Sequence, residues 1–174
     1  MNVADVIRTV SYNKTANAGR LEAVATELRR LELLPKGGRG LWAPQISPTE
    51  AATLLLTFAA VERVQETGDV ISNLAKLEHP TKGAFLPFVA EQISGSSAGS
   101  KVREITIFPQ GTLAEVAIED GVTRFLLPDA WKSGLNPDAQ QKSFGGRIGY
   151  IGGGLLWMVA QDFEDTGKGK IVAE

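Results

Sequence analysis

The period of the apolar residues changes sharply between residues 94 and 102. Up to residue 94 apolar side chains recur three and four positions apart, and from Val102 to Leu127 they alternate with polar ones. Between the two lies Gly95-Ser96-Ser97-Ala98-Gly99-Ser100, which reads by composition as a flexible linker. A period near 3.6 specifies amphipathic helices and a period of two specifies half-buried strands. The expected class is therefore α+β, with a helical part over residues 1–94, a linker over 95–101 and an α+β part over 102–174. Neither part alone has enough chain for much core, so the two are expected to share packing.

In the first part, Val3, Val6, Ile7 and Val10 predict a helix over residues 2–11. Leu21, Val24, Ala25, Leu28, Leu31 and Leu33 place one apolar face on a second helix over Arg20–Leu34, stopped by Pro35 because the residue before a proline is pushed out of helical geometry. Ser47-Pro48-Thr49-Glu50 is a helix start: Ser47 as N-cap, Pro48 as first helical residue, Glu50 closing a capping box. That helix is expected to run to about Gly68 and, being apolar nearly all round, to lie at the centre. A short helix over Asp69–Leu77 and an amphipathic one over Gly83–Ser94 follow. In the second part Val102–Phe108, Leu113–Glu119 and Val122–Leu127 alternate, and Asp120-Gly121 signals a type I′ hairpin. This gives a three-stranded antiparallel β-meander, four-stranded if Phe144–Ile151 is strand and not loop. A polar loop over Pro128–Ser143 and a closing C-terminal helix over Leu155–Phe163 complete the pattern, with Thr166–Glu174 a frayed tail.

Composition narrows the chemistry. There is no cysteine and a single histidine, His79, so disulfides and thiolate metal sites are excluded, and a zinc site, which needs at least three protein ligands, is not expected. No apolar run reaches the roughly 20 residues of a spanning helix. The first five residues lack the basic-then-apolar pattern of a signal peptide, and the expected location is the cytoplasm. Gly95-Ser96-Ser97-Ala98-Gly99 fits G-x-S-x-G in letters alone: the nucleophile elbow needs a strand before the serine and a helix after it, and here the order is reversed. Gly145–Gly154 fits neither common phosphate-loop spacing and reads as a strand and turn packed tightly on a neighbour. The acidic residues Glu119-Asp120 and Glu164-Asp165 fall at a turn and near the chain end, and the spacing of Asp129 and Asp138 does not ask for a metal. His79 reads as a surface-loop residue. No enzymatic activity and no cofactor are expected.

The formal net charge of −2 conceals an asymmetry. Residues 1–47 carry seven Lys or Arg against four acids, whereas residues 48–174 carry eleven against sixteen. A basic end on an acidic body orients a protein on a polyanion. The basic end also contains Lys36-Gly37-Gly38-Arg39-Gly40, a turn whose glycines allow close backbone approach. In a winged helix-turn-helix, one arrangement this pattern permits, the helix over Arg20–Leu34 would enter the major groove and the glycine-rich turn would act as the wing on the phosphates. Lys14, Asn17 and Arg20 would then lie near the groove end of that helix, and Arg29 and Arg30 toward the turn with Lys36 and Arg39. Trp42 has three uses open to it: anchoring the turn to the body, stacking on a base, or wedging into a groove. The alternative for the arginines is an ordinary solvated helix face.

The run Leu33-Leu34-Pro35-Lys36-Gly37-Gly38-Arg39-Gly40, then Ala43-Pro44, then Ser47-Pro48-x-x-Ala51-Ala52-x-Leu54-Leu55 resembles the N-terminal part of small uncharacterised proteins of proteobacterial phages and prophages. The resemblance covers residues 20–58, and the C-terminal hairpins and helix are loosely similar to that group's tail. It implies a helix-turn-helix-like segment and double-stranded DNA as partner. The expected function is a phage-type DNA-binding protein acting in transcription regulation, with the second part used for oligomerisation or for binding a partner. A small terminase-like DNA-packaging subunit is a second reading, distinguished by a ring of copies in place of a dimer. The third is a mobile-element inhibitor or adaptor that binds a host protein through its acidic face.

Overall fold

The structure is a computed structural model. It describes residues 1–12, 17–38, 42–94, 101–132 and 148–168. The linker of residues 95–100, most of the loop before residue 148 and the tail beyond residue 168 lie outside the described residues.

Helix α1 spans Val3–Tyr12 and buries Val3, Val6 and Val10. Its start is capped reciprocally: Asn2 N–H donates to Asp5 Oδ2 at 2.9 Å, and Asp5 N–H to Asn2 Oδ1 at 3.1 Å. Helix α2 spans Ala18–Arg30 and buries Leu21, Val24, Ala25 and Leu28. It stops short of Leu34, and Pro35 is not the cause. Leu33 N–H donates to the Leu28 carbonyl at 2.9 Å and Glu32 N–H to the Arg29 carbonyl at 3.1 Å, with Glu32 at φ 61°. This is a Schellman ending with glutamate in the left-handed position that glycine usually holds.

Helix α3, Pro48–Ala60, begins as predicted. Glu50 N–H donates to Ser47 Oγ at 3.2 Å and Ser47 N–H to Glu50 Oε2 at 2.6 Å. Nine of its thirteen residues are buried, as expected of the central helix. It ends earlier than its apolar run: Val61 turns extended, a 3₁₀ turn covers Val64–Glu66, and Gly68 falls inside a separate helix α4, Thr67–Leu74. A hairpin of two-residue strands follows, β1 (Glu78–His79) with β2 (Gly83–Ala84), in a segment whose residues carry no strand period. His79 builds its turn: Nδ1 accepts from the N–H groups of Thr81 and Lys82, each at 3.2 Å. Helix α5 is Phe85–Ser94.

The meander is present as β3 (Val102–Ile107), β4 (Leu113–Ile118) and β5 (Gly121–Leu126). Its second turn is not type I′. Ile118 pairs with Gly121, so Glu119 and Asp120 sit at the centre of the turn, and neither has the positive φ that type I′ demands. Gly121, at φ 138°, opens β5 instead. A short helix α6, Pro128–Lys132, replaces the start of the expected polar loop. A further strand, β6 (Gly149–Gly152), overlaps the end of the expected Phe144–Ile151 strand but does not extend the meander: it returns to pair with β3 and not with β5, and it runs directly into α7, Gly153–Lys168.

All six strands form one antiparallel sheet in the order β2-β1-β5-β4-β3-β6. Helices α3, α5 and α7 cover one face, and α1 and α2 pack beyond them. The other face is mixed: Thr106, Glu115 and Arg124 are cross-strand neighbours at its middle, with Arg124 Nε 2.7 Å from Glu115 Oε1, and at one end Leu113 and Leu126 join Phe108 in a second, small apolar cluster against Ala130. One cluster of buried apolar residues runs from Met1 through Leu54 and Phe85 to Val159, so the helices and the meander share a core. The glycine run near residue 150 is a packing device. A Cβ on Gly149 would lie 2.1 Å from the Ala59 carbonyl oxygen, and one on Gly153 1.7 Å from that of Val102.

Candidate nucleic-acid interface

The basic segment starts at the end of α2. After the Schellman turn the chain runs outward through Lys36-Gly37-Gly38 and returns through Trp42-Ala43-Pro44. Its base is tied to the start of α1: Asn2 and Gln45 form an antiparallel bridge, and Ile46 N–H donates to the Met1 carbonyl at 3.0 Å. Pro35 and Pro44 flank the loop, and its two legs touch at Gly38, where an added Cβ would meet the Trp42 carbonyl oxygen at 2.3 Å. The result is a helix pair followed by a pinned loop that returns beside the first helix.

The side chains on this frame are mostly engaged. Asn17 caps α2, its Oδ1 accepting from Gly19 N–H at 2.9 Å and Arg20 N–H at 3.3 Å. The Arg20 guanidinium donates to the Val61 carbonyl at the end of α3 and lies 5.4 Å from the Phe58 ring centre. That is a junction between helices, not a groove-facing residue. Arg29 Nη1 is 3.2 Å from Glu22 Oε1; its Nε is buried without a hydrogen-bond partner among the described residues, beside Gly37. Arg30 grips Glu27 through three contacts of 2.6–3.0 Å. That grip holds the Glu27 carboxyl below its usual pKa and raises Arg30's. The outward face of α2 is thus charge-balanced, Glu22 and Glu27 against Arg29 and Arg30.

The loop differs from the helix. Lys36 is 79% exposed and, among the described residues, makes only a 3.4 Å pair with Glu32, the kind of surface pair that contributes about 0–1 kcal/mol and is easily exchanged. Trp42 is 88% exposed. The anchor reading of Trp42 is therefore corrected: its backbone packs on Gly38 while its indole stands in solvent. Lys14 and Arg39 lie outside the described residues. The structure accordingly brings Arg29, Lys36 and Trp42 to one end of α2 and leaves Arg20 and Asn17 committed to packing and capping.

Among the described residues no helix is long and apolar enough to cross a membrane, and no group of three His, Asp or Glu is placed to hold a metal ion. The chain matches no protein family, no curated protein and no solved structure.

Proposed function

We propose that this protein binds double-stranded DNA in the cytoplasm as a phage-type transcription regulator, with the loop between α2 and α3 as its wing. The observation that carries the reading is the pinned loop: α1 and α2 form a helix pair, the loop closes on α1 at Asn2–Gln45, and among its described residues the exposed side chains are a cation and an indole. A lysine on a loop with glycine amides suits a phosphate, and an exposed indole suits a base face or a groove wall. Because the outward face of α2 balances Glu22 and Glu27 against Arg29 and Arg30, the wing supplies most of the attraction, and the binding is expected to be driven by the phosphate backbone more than by base edges.

The test is a pair of variants, Lys36→Ala and Trp42→Ala, with binding to short duplexes followed across salt concentrations. Loss of one phosphate contact lowers the slope of log K against log salt by about one unit. Lys36→Ala is expected to do so, and Trp42→Ala to weaken binding with the slope kept. Parent-like binding by both variants removes the wing assignment.

A further inference from the structure

Helices α1 and α7 lie side by side. Thr9 Oγ1 donates to Asp162 Oδ2 at 2.5 Å, and the order of neighbours makes the pair antiparallel: Tyr12 shares a groove with Trp157 and Met158, while Asp5 and Arg8 share the next recess with Asp162 and Asp165. The outward row of this two-helix layer holds residues that a solvated face does not need. Tyr12 is 86% exposed and Trp157 46% exposed. Between them runs a groove of about 420 Å³. Through Met158 it adjoins a hollow of about 380 Å³, lined among others by Leu55, Phe58 and Leu155.

We infer that this face is the seat of a second copy of the chain, joined about a two-fold axis so that α1 and α7 of both copies form a four-helix layer. The face is self-complementary in shape and in charge, as an isologous interface must be. In shape, each copy offers a protruding aromatic, Tyr12, and an apolar groove larger than one aromatic side chain. In charge, each offers a recess with an excess of acid, Asp5, Asp162 and the exposed Asp165, around one cation; that cation, Arg8, is 76% exposed, pairs at 3.1 Å with Asp5 at the surface, and can reach the exposed Asp165 of the other copy. The two aromatics alone supply part of the area a stable dimer needs. Aromatic side chains of 150–250 Å² at these exposures leave on the order of 250 Å² open, about a third of the roughly 800 Å² each partner of a standard interface buries. Arg8, Gln161 and Asp165 extend the face along the same two helices. An unrelated partner would have to supply both the aromatic and the paired signs; a second copy carries them already. The inference does not rest on DNA binding.

The test is the mass of the full chain in solution from about 1 to 100 μM, for the parent, Tyr12→Asp and Arg8→Glu. The parent is expected to be a dimer. Tyr12→Asp removes an aromatic anchor from the interface centre and is expected to weaken the dimer by about thirtyfold or more. Arg8→Glu gathers like charge on both copies and should weaken it while leaving the fold intact, since Arg8 is exposed. A monomeric parent at the highest concentration overturns the inference, and so does a dimer, or a larger ring, that neither substitution weakens. Neither result bears on the wing variants above, because they read DNA affinity and salt slope.

Discussion

Replacing Arg20 by alanine separates a structural arginine from a DNA-binding one. From its position near the start of α2, Arg20 reaches α3, where its guanidinium donates to the Val61 carbonyl and rests over Phe58. A hydrogen bond to a charged group contributes about 1.5–3 kcal/mol, and a cation over a ring about 0.5–1 kcal/mol where partly exposed. Alanine gives up both and regains some side-chain entropy, so the expected loss is about 2–3 kcal/mol. For a chain of 174 residues each kcal/mol moves the melting midpoint by about 2–4 °C, a shift of about 4–12 °C in all. Urea and thermal unfolding measure the loss, and the salt slope of DNA binding is measured alongside. Arg20→Lys keeps the charge but not the planar stack, and should recover less than half of the stability. An Arg20→Ala protein as stable as the parent, with a salt slope lower by one unit, would falsify the junction and put Arg20 back on the phosphates.

Other substitutions follow from single contacts. Thr57 is fully buried and its Oγ1 has no hydrogen-bond partner among the described residues; Thr57→Val, which removes the stranded hydroxyl at nearly constant volume, should stabilise by about 1–2 kcal/mol in urea unfolding, and a loss there would mean that the hydroxyl is satisfied. Glu32→Gly relieves a left-handed glutamate and should gain about 0.5–1 kcal/mol after the entropy glycine recovers when unfolded; a destabilised variant would show that the Lys36 pair outweighs the backbone. Glu27, hydrogen-bonded by Arg30, has a pKa lowered on folding. Its pair therefore supports the fold above the unfolded carboxyl's pKa and is lost as pH falls through the folded one. Side-chain NMR titration should find the Glu27 midpoint below that of a free glutamate, and Arg30→Gln should return it to the ordinary range.

What could be read from the sequence was what depends on near neighbours. The start of α3 was legible because Ser47, Pro48 and Glu50 act within one turn, and the meander because alternation persists over six residues in each strand. The end of α2 was not, since a Schellman turn with glutamate in the glycine position has no residue signature, and Pro35 offered a plausible stop. The β1–β2 hairpin is too short for any period; it exists because Glu78 pairs with Leu126, a partner far along the chain. At the candidate site, the Glu27–Arg30 and Glu32–Lys36 pairs were visible in principle, as residues three and four apart on a helix or its end meet. The Arg20–Val61 contact spans 41 residues and leaves no trace in local spacing. Tyr12 carried no signal either, because its exposure depends on where α7 lies.

The most direct measurement of the central claim is fluorescence anisotropy of the purified parent protein with short duplexes at about 50 and 200 mM salt, where counterion release makes phosphate-driven affinity fall steeply. The expected result is binding at the lower concentration that weakens strongly at the higher. No binding at the lower concentration would contradict the DNA reading, and the pinned loop would then be a structural closure of α1 on α3.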